Sequence, residues 1–189
     1  MDDNLLIEKI ISGDENAFKQ FVEKYHQMVL NICNNILHDF NDSMDVSQEV
    51  FIKIYESIDQ FRGDSKITTW LYRIAVNKSL NFLRSRKKNR WFASLDLLFG
   101  DEKKQIDPED DALLPDEDME MDENKKVLHN ALKKLPEKQN TAIALSHFEN
   151  LSYKEISEIM QINVSEVGVL INRGKKKLQK IIIDYYKKN

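Results

Sequence analysis

The chain has one cysteine, three prolines and five glycines among 189 residues. A single cysteine, Cys33, excludes an internal disulfide and a cysteine-rich metal site. It lies at helical apolar spacing in "VLNICNNIL", which reads as a small buried hydrophobe. The four histidines, His26, His38, His129 and His147, show no clustered ligand spacing, so no metal is expected. No phosphate-cradling or dinucleotide-type glycine loop is present, so no nucleotide cofactor is expected. No run approaches the ~18 consecutive apolar residues of a membrane span. The start, "MDDNLLIEKI", is acidic and lacks the basic-then-apolar order of a secretory signal. These absences predict a cytoplasmic protein without membrane insertion.

What is present is helical period. Hydrophobic residues make up 41% and charged residues 32%, enough for folded cores under well-solvated surfaces. Strand-like runs bounded by turn signals are missing, so an all-α fold is expected. The net charge of −4 conceals a division. Residues 1–90 carry 13 acidic and 13 basic groups, residues 91–123 carry 13 and 2, and residues 124–189 carry 6 and 13. An acidic segment therefore masks a C-terminal unit of net +7, whose charge points to a nucleic-acid partner.

The pattern predicts a short helix over 4–11, then a long one capped by Asp14 with Phe18, Phe21, Val22, Tyr25, Val29, Ile32 and Ile36 inward. "DFND" is read as its end, and a third helix runs from Ser43 to Ile58. After the loop "QFRGDS", a fourth helix covers 66–88. Long helices with short connections read as a bundle. Residues 91–123 hold two prolines in dense acid and are expected to form a flexible acidic linker, with "WFASLDLLF" (91–99) as one docked apolar segment. In the last unit, Pro136 separates two helices and fits the first turn of the second. Ser152 and Glu155 then form a capping box, and Asn163 and Glu166 repeat its spacing on the next helix. Two capped helices, a short turn and a basic end predict a helix-turn-helix.

Three faces carry candidate chemistry. On the fourth helix, Leu71, Tyr72, Ala75, Val76, Leu80, Phe82 and Leu83 share an apolar side, whereas Arg73, Asn77, Lys78, Asn81, Arg84 and Ser85 lie opposite. Trp70 falls in the middle of the polar side. Either it folds back onto a neighbouring loop, or it offers an unstacked base a flat platform among cations, with Phe61, Arg62 and Lys66 of the preceding loop at the same end. On the last helix, Val167, Ile171, Gly174 and Leu178 point inward, which leaves Ser165, Glu166, Gly168, Val169, Asn172, Arg173, Lys175 and Lys176 outward. The early positions suit base edges and the later cations suit phosphates. "GKKK" also reads as a solvated helix end favoured by the helix dipole. Tyr153 and Lys154, at the start of the preceding helix, suit DNA backbone contacts. The third helix shows an acidic-polar outer strip with Asp45, Gln48, Glu49 and Glu56, which suits either plain packing or docking of another protein.

"DVSQEVFIKIY" followed by "FRGDSKITTWLYRIAVNKSLNFLRSRKK" resembles the second conserved region of bacterial sigma-70 type RNA polymerase sigma factors of the extracytoplasmic-function (ECF) type. "LPEKQNTAIALSHFENLSYKEISEIMQINVSEVGVLINRGKKKL" is similar to their fourth region. The resemblance covers residues 14–89 and 127–180 and implies three units: a region 2-like domain at 1–90, a linker at 91–123 and a region 4-like domain at 124–189. It implies a protein that is not an enzyme, has no catalytic residue and no cofactor, binds RNA polymerase core and opens promoter DNA. Asp45, Gln48 and Glu49 would meet the β′ clamp helices. Phe61, Arg62, Lys66, Trp70, Arg73, Asn77, Lys78, Asn81 and Arg84 would handle the minus-ten element. The helix-turn-helix would read the minus-thirty-five element and touch the β flap. The family also implies an anti-sigma factor as partner, and no further domain is expected after residue 189. The chain departs from the family's usual residues at Glu166, Gly168, Val169 and Leu170, which sets its promoter readout apart. The alternative reading is a two-domain helix-turn-helix regulator that binds DNA without polymerase.

Overall fold

The computed structural model describes residues 3–61, 63–99 and 123–188, with 93–99 and 188 by backbone alone. Among the described residues, eight α-helices follow in order: α1 (Asp3–Ile11), α2 (Glu15–Leu37), α3 (Phe40–Ser57), α4 (Ile67–Phe99), α5 (Glu123–Lys133), α6 (Glu137–Ile143), α7 (Tyr153–Met160) and α8 (Val164–Lys188). A 3-10 turn follows α3 at Ile58–Gln60, and a π turn continues α6 at Ala144–Phe148. Among the described residues there is no strand, as the helical periodicity predicts.

Local chemistry sets most of the helix ends. Asp14 caps α2 by accepting from the backbone N–H groups of Asn16 and Ala17 at 2.9 and 3.1 Å. His38 closes α2 in the left-handed region (φ 57°), donating its N–H to Asn34 O at 2.9 Å. Asp39 then accepts from Asp42 N–H at 2.9 Å and caps α3. That cap draws Phe40, Asn41 and Asp42 into the first turn, so α3 begins before the expected Ser43. Only His38 and Asp39 separate α2 from α3, which forces the two helices into antiparallel contact. Pro136 stands just outside α6, where its carbonyl accepts from Gln139 and Asn140 N–H at 2.8 and 3.0 Å.

The largest departure from the sequence reading is the length of α4, which continues through 91–99 to Phe99. No glycine or proline interrupts residues 67–99, so helix propensity carries the chain through a stretch whose apolar content suggested a separate docked segment. The remainder of the expected acidic linker, 100–122, lies outside the described residues.

Phe21, Val29 and Ile32 of α2, Val46, Val50 and Ile54 of α3, and Leu71, Ala75 and Val76 of α4 are almost fully buried and form the centre of the first helical group. Cys33 lies among them, and burial pushes its thiol up to about 11 despite the neighbouring Ser79 hydroxyl. This is the inert, core-filling cysteine that its spacing suggests. The core does not stop at the connection. Ala142, Ala144 and Leu145 around the π turn, Ile156 and Ile159 of α7, and Val167 and Ile171 of α8 belong to the same continuous cluster. Leu132, Leu135 and Ile143 form a smaller cluster against Leu178.

Polar groups cross the same junction. Asn140 Nδ2 donates to the carbonyls of Asn35 and Ile36 at 3.1 and 3.3 Å, satisfying acceptors that the end of α2 leaves without helical partners. Tyr72 Oη donates to Glu149 Oε2 at 2.7 Å, and Asn35 Nδ2 donates to Glu149 Oε1 at 3.4 Å. Burial, reinforced by Glu149, pushes the Tyr72 phenol far above its ordinary value.

At the end of α2, the His38 ring lies edge-on to His129 of α5, with centroids 5.3 Å apart. Burial first, then His129 and Lys133, lower its pKa to about 4, while Asn140 opposes the shift. The unfolded chain therefore binds more protons than the folded chain between pH 6.5 and about 4. Stability is expected to be full above pH 6.5 and to fall as the pH drops toward 4. His38→Gln should flatten that slope in urea melts at graded pH; an unchanged slope would assign it to other groups.

Candidate nucleic-acid interface

The first of the two expected caps of the helix-turn-helix, at Ser152 and Glu155, forms as its spacing predicts. Ser152 Oγ accepts from Glu155 N–H at 3.3 Å, while Glu155 Oε2 accepts from Ser152 N–H at 3.0 Å and from its hydroxyl at 2.8 Å. Gln161 ends α7 in the left-handed region (φ 55°), and α8 starts at Val164, with Asn163 O accepting from Val167 N–H at 3.1 Å. Val167 and Ile171 are buried. Gly174 is buried with them, because a Cβ there would come within 2.5 Å of Ile143 Cδ1; the missing side chain lets α8 lie close on α6.

With that stripe inward, Ser165, Glu166, Val169, Asn172, Arg173, Lys175 and Lys176 are all exposed, as are Tyr153 and Lys154 at the start of α7. All nine residues of this set are therefore accessible on α7 and α8. Gly168 has a different role from Gly174. A Cβ at 168 would meet only Tyr153 Cε2, at an ordinary 3.7 Å. Gly168→Ala is therefore expected to stabilise the chain by about 1 kcal/mol through helix propensity, read as a higher urea midpoint. A loss of stability would show a constraint that the packing does not contain.

On the other group, Trp70 is half-buried and leans on Phe61, with ring centroids 5.5 Å apart and planes tilted by 52°. Both rings pack against the core and remain partly exposed. Trp70 thus braces the loop that precedes α4, and the pair forms one aromatic surface at the start of that helix. Arg73 is half-buried, and its Nε has no hydrogen-bond partner among the described residues. Asn77, Asn81 and Arg84 are exposed, with Arg84 Nη1 reaching Asn81 Oδ1 at 3.4 Å. Lys78 pairs with Glu49 of α3 at 3.0 Å. Lys66 pairs with Glu155 of α7 at 3.0 Å. The backbone N–H of Ser152 and then Lys66 hold the Glu155 carboxyl down to about 2. Arg62 lies outside the described residues.

Two features of this surface escape the sequence reading. Because α4 continues past residue 90, the basic run stays helical, and Arg84, Lys87, Lys88, Arg90 and Trp91 line an open cleft. The signal was available in the uninterrupted helix formers after Arg90. On α3, Asp45, Gln48 and Glu49 are exposed as expected, and Ile52 and Tyr55 stand out beside them, 60% and 54% exposed. Ile52 lies four residues after Gln48 and so continues the same face. The helical period alone places it on that outer strip, one turn from Gln48 and Glu49. The strip is therefore mixed apolar and acidic, a better docking surface than acid alone.

Among the described residues, no group of His, Cys, Asp and Glu is arranged to hold a metal, and no helix is long and apolar enough to cross a membrane.

The chain matches the family description "Sigma-70 region 2" over residues 21–89 and "Sigma-70, region 4" over residues 125–178. It is 35% identical to the RNA polymerase sigma-H factor of Pseudomonas aeruginosa, across 95% of this chain and 93% of that one. It is 36% identical to the ECF RNA polymerase sigma-E factor of Haemophilus influenzae, across 94% and 93%. In fold it is similar to CnrH, solved in complex with the cytosolic domain of CnrY, with a TM-score of 0.66 at 21% identity over 96% of this chain and 97% of that one. Two region matches in order, and relatives above 30% identity over more than nine-tenths of both chains, converge on one conclusion: this chain belongs to the sigma-70 family of RNA polymerase sigma factors, in its extracytoplasmic-function group.

Proposed function

We propose that this protein gives RNA polymerase core its promoter specificity: residues 1–90 dock on the β′ clamp helices and open the minus-ten element, residues 124–189 read the minus-thirty-five element and contact the β flap, and residues 91–123 connect the two. The observation that supports this best is the outward polar side of α8 beside exposed Tyr153 and Lys154, in a chain that also carries the aromatic pair Phe61–Trp70 next to cations. Phosphate contacts from Lys154, Lys175 and Lys176 position α8, while Ser165, Glu166, Val169, Asn172 and Arg173 face base edges. Capture of an extruded base on the aromatic surface offsets an unstacking cost of a few kcal/mol. Asp45, Gln48 and Glu49 meet the polymerase, extended by Ile52 and Tyr55.

The sites are used in the cytoplasm, where core polymerase and promoter DNA are found, and the chemistry remains the polymerase's own. CnrH was solved with the cytosolic domain of CnrY; a comparable anti-sigma partner that covers the DNA-facing sides fits this chain. In vitro transcription with core polymerase and genomic fragments tests the function. Promoter-specific transcripts that require the chain are expected. Tight duplex binding without core, and no transcripts, would instead make it a polymerase-independent regulator. Within that assay, Arg173→Ala is expected to cost about 1–3 kcal/mol of binding and to relax specificity at one upstream position. A uniform loss across sequences would reassign Arg173 to the phosphates.

A further inference from the structure

Resting on the sigma-factor reading, we propose that Gly168 is a specificity-determining residue of α8: its bare backbone and the ring edge of Tyr153 form a notch that takes the C5 methyl group of one thymine in the minus-thirty-five element.

A glycine inside a helix lowers stability relative to alanine, so its place in α8 calls for a reason. Three physical reasons can require one: a positive φ, close packing of another element, or close approach of a ligand to the backbone. The first does not apply, since the positive-φ glycines among the described residues are Gly13 and Gly63. The second accounts for Gly174, where a Cβ would stand 2.5 Å from Ile143 Cδ1. It does not account for Gly168, where a Cβ would have only an ordinary contact, 3.7 Å from Tyr153 Cε2. The third reason is left, and the position suits it. Gly168 is half-exposed, and Ser165 and Asn172, one turn before and after it on the same side of α8, are exposed.

The chemistry of the notch selects its ligand. Gly168 is the fifth residue of α8, beyond the first turn, so its N–H is engaged in the helix and offers nothing to a phosphate. What faces outward is Cα and the edge of an aromatic ring, both apolar. Donors and acceptors on a base edge would lose water there without gaining a partner. The thymine methyl group is the apolar feature of the major groove. Phosphate contacts from Lys154, Lys175 and Lys176 set the depth of α8, so a Cβ at 168 would hold that methyl group off by about 1.5 Å, one C–C bond.

The promoter found by transcription with core polymerase supplies the test. Each thymine of the upstream element, on either strand, is replaced singly by deoxyuridine, which removes only the methyl group, and holoenzyme binding is titrated. The unaltered chain should lose about fourfold at one thymine, the contribution of one buried methyl group. Gly168→Ala carries a methyl group of its own. It should bind the thymine promoter more weakly than the unaltered chain and lose or invert the preference at that one position. Its higher expected stability separates this loss from unfolding. Tyr153→Phe should keep the preference, because the ring edge and not the hydroxyl borders the notch. An unaltered chain indifferent to deoxyuridine at every position would overturn the proposal, as would an alanine variant with the original preference. Absence of promoter-specific binding with core would instead fail the sigma-factor reading. The same substitutions, in the duplex that the chain then binds alone, decide on the notch.

Discussion

Trp70→Ala is expected to slow open-complex formation by about one to two orders of magnitude, the equivalent of the ~1–3 kcal/mol that one base–aromatic stack contributes. Affinity for core polymerase should change less than twofold, because Asp45, Gln48, Glu49 and Ile52 lie on α3 and do not include the Trp70 ring. The neighbouring Phe61 is the informative control. If Trp70 acts only by bracing the loop, Phe61→Leu should match the loss, since the two rings support one another at 5.5 Å. If Trp70 itself receives the base, Trp70→Phe should recover most of the activity, because a flat apolar surface remains. The readout is permanganate reactivity of the melted strand beside a core-binding titration. Equal loss in both measurements, or loss in neither, would remove Trp70 from the melting step.

Leu145→Ala carries the largest expected stability effect. Leu145 is fully buried in the π turn and belongs to the cluster that joins both helical groups. Removing it should cost about 2–5 kcal/mol, the range for a large side chain lost from a close-packed core. At roughly 2–4 °C per kcal/mol for a chain of this size, the melting temperature should fall by about 5–20 °C. A shared core also predicts the form of the change: one cooperative transition moves as a whole. If the chain melts in two steps and Leu145→Ala moves only the later or only the earlier, the groups are energetically separate. Ile52→Ala, at 60% exposure, serves as the surface comparison and should stay within about 0.5 kcal/mol of the parent.

How much could be read in the chain beforehand differs by element, and the reason is the range of the interaction. Asp14, Ser152 and Glu155 act on backbone groups two or three residues away, so their caps could be read from spacing. The inward stripe Val167, Ile171 and Gly174 could be read for the same reason, since it repeats a helical period. Gly174 was legible as inward, but not its closeness to Ile143, which sits in another helix 31 residues earlier. Asp39 misled the boundary of α3 because an Asp after a helical run suits either the end of one helix or the cap of the next, and only the geometry of Asp42 N–H decides. The helical period puts Trp70 on the polar side, whereas in the structure its half-buried ring packs against Phe61 and the core, a contact that depends on how the intervening loop closes.

The sequence by itself determined most of the helices and their ends, the acidic segment beside a basic C-terminal unit and the exposed face that holds Asn172 and Arg173, because each follows from local period, capping or composition. Only the tertiary structure decided that Asn140 completes the end of α2, that Tyr72 and Asn35 share Glu149, and that Lys66 pairs with Glu155. Those partners stand 77 to 114 residues apart. Nothing in local spacing selects a buried amide or a carboxylate for a partner that distant. The selection comes from packing: once the apolar faces of α2, α4, α6 and α7 meet, the few polar groups caught at their edges must find one another or remain unsatisfied.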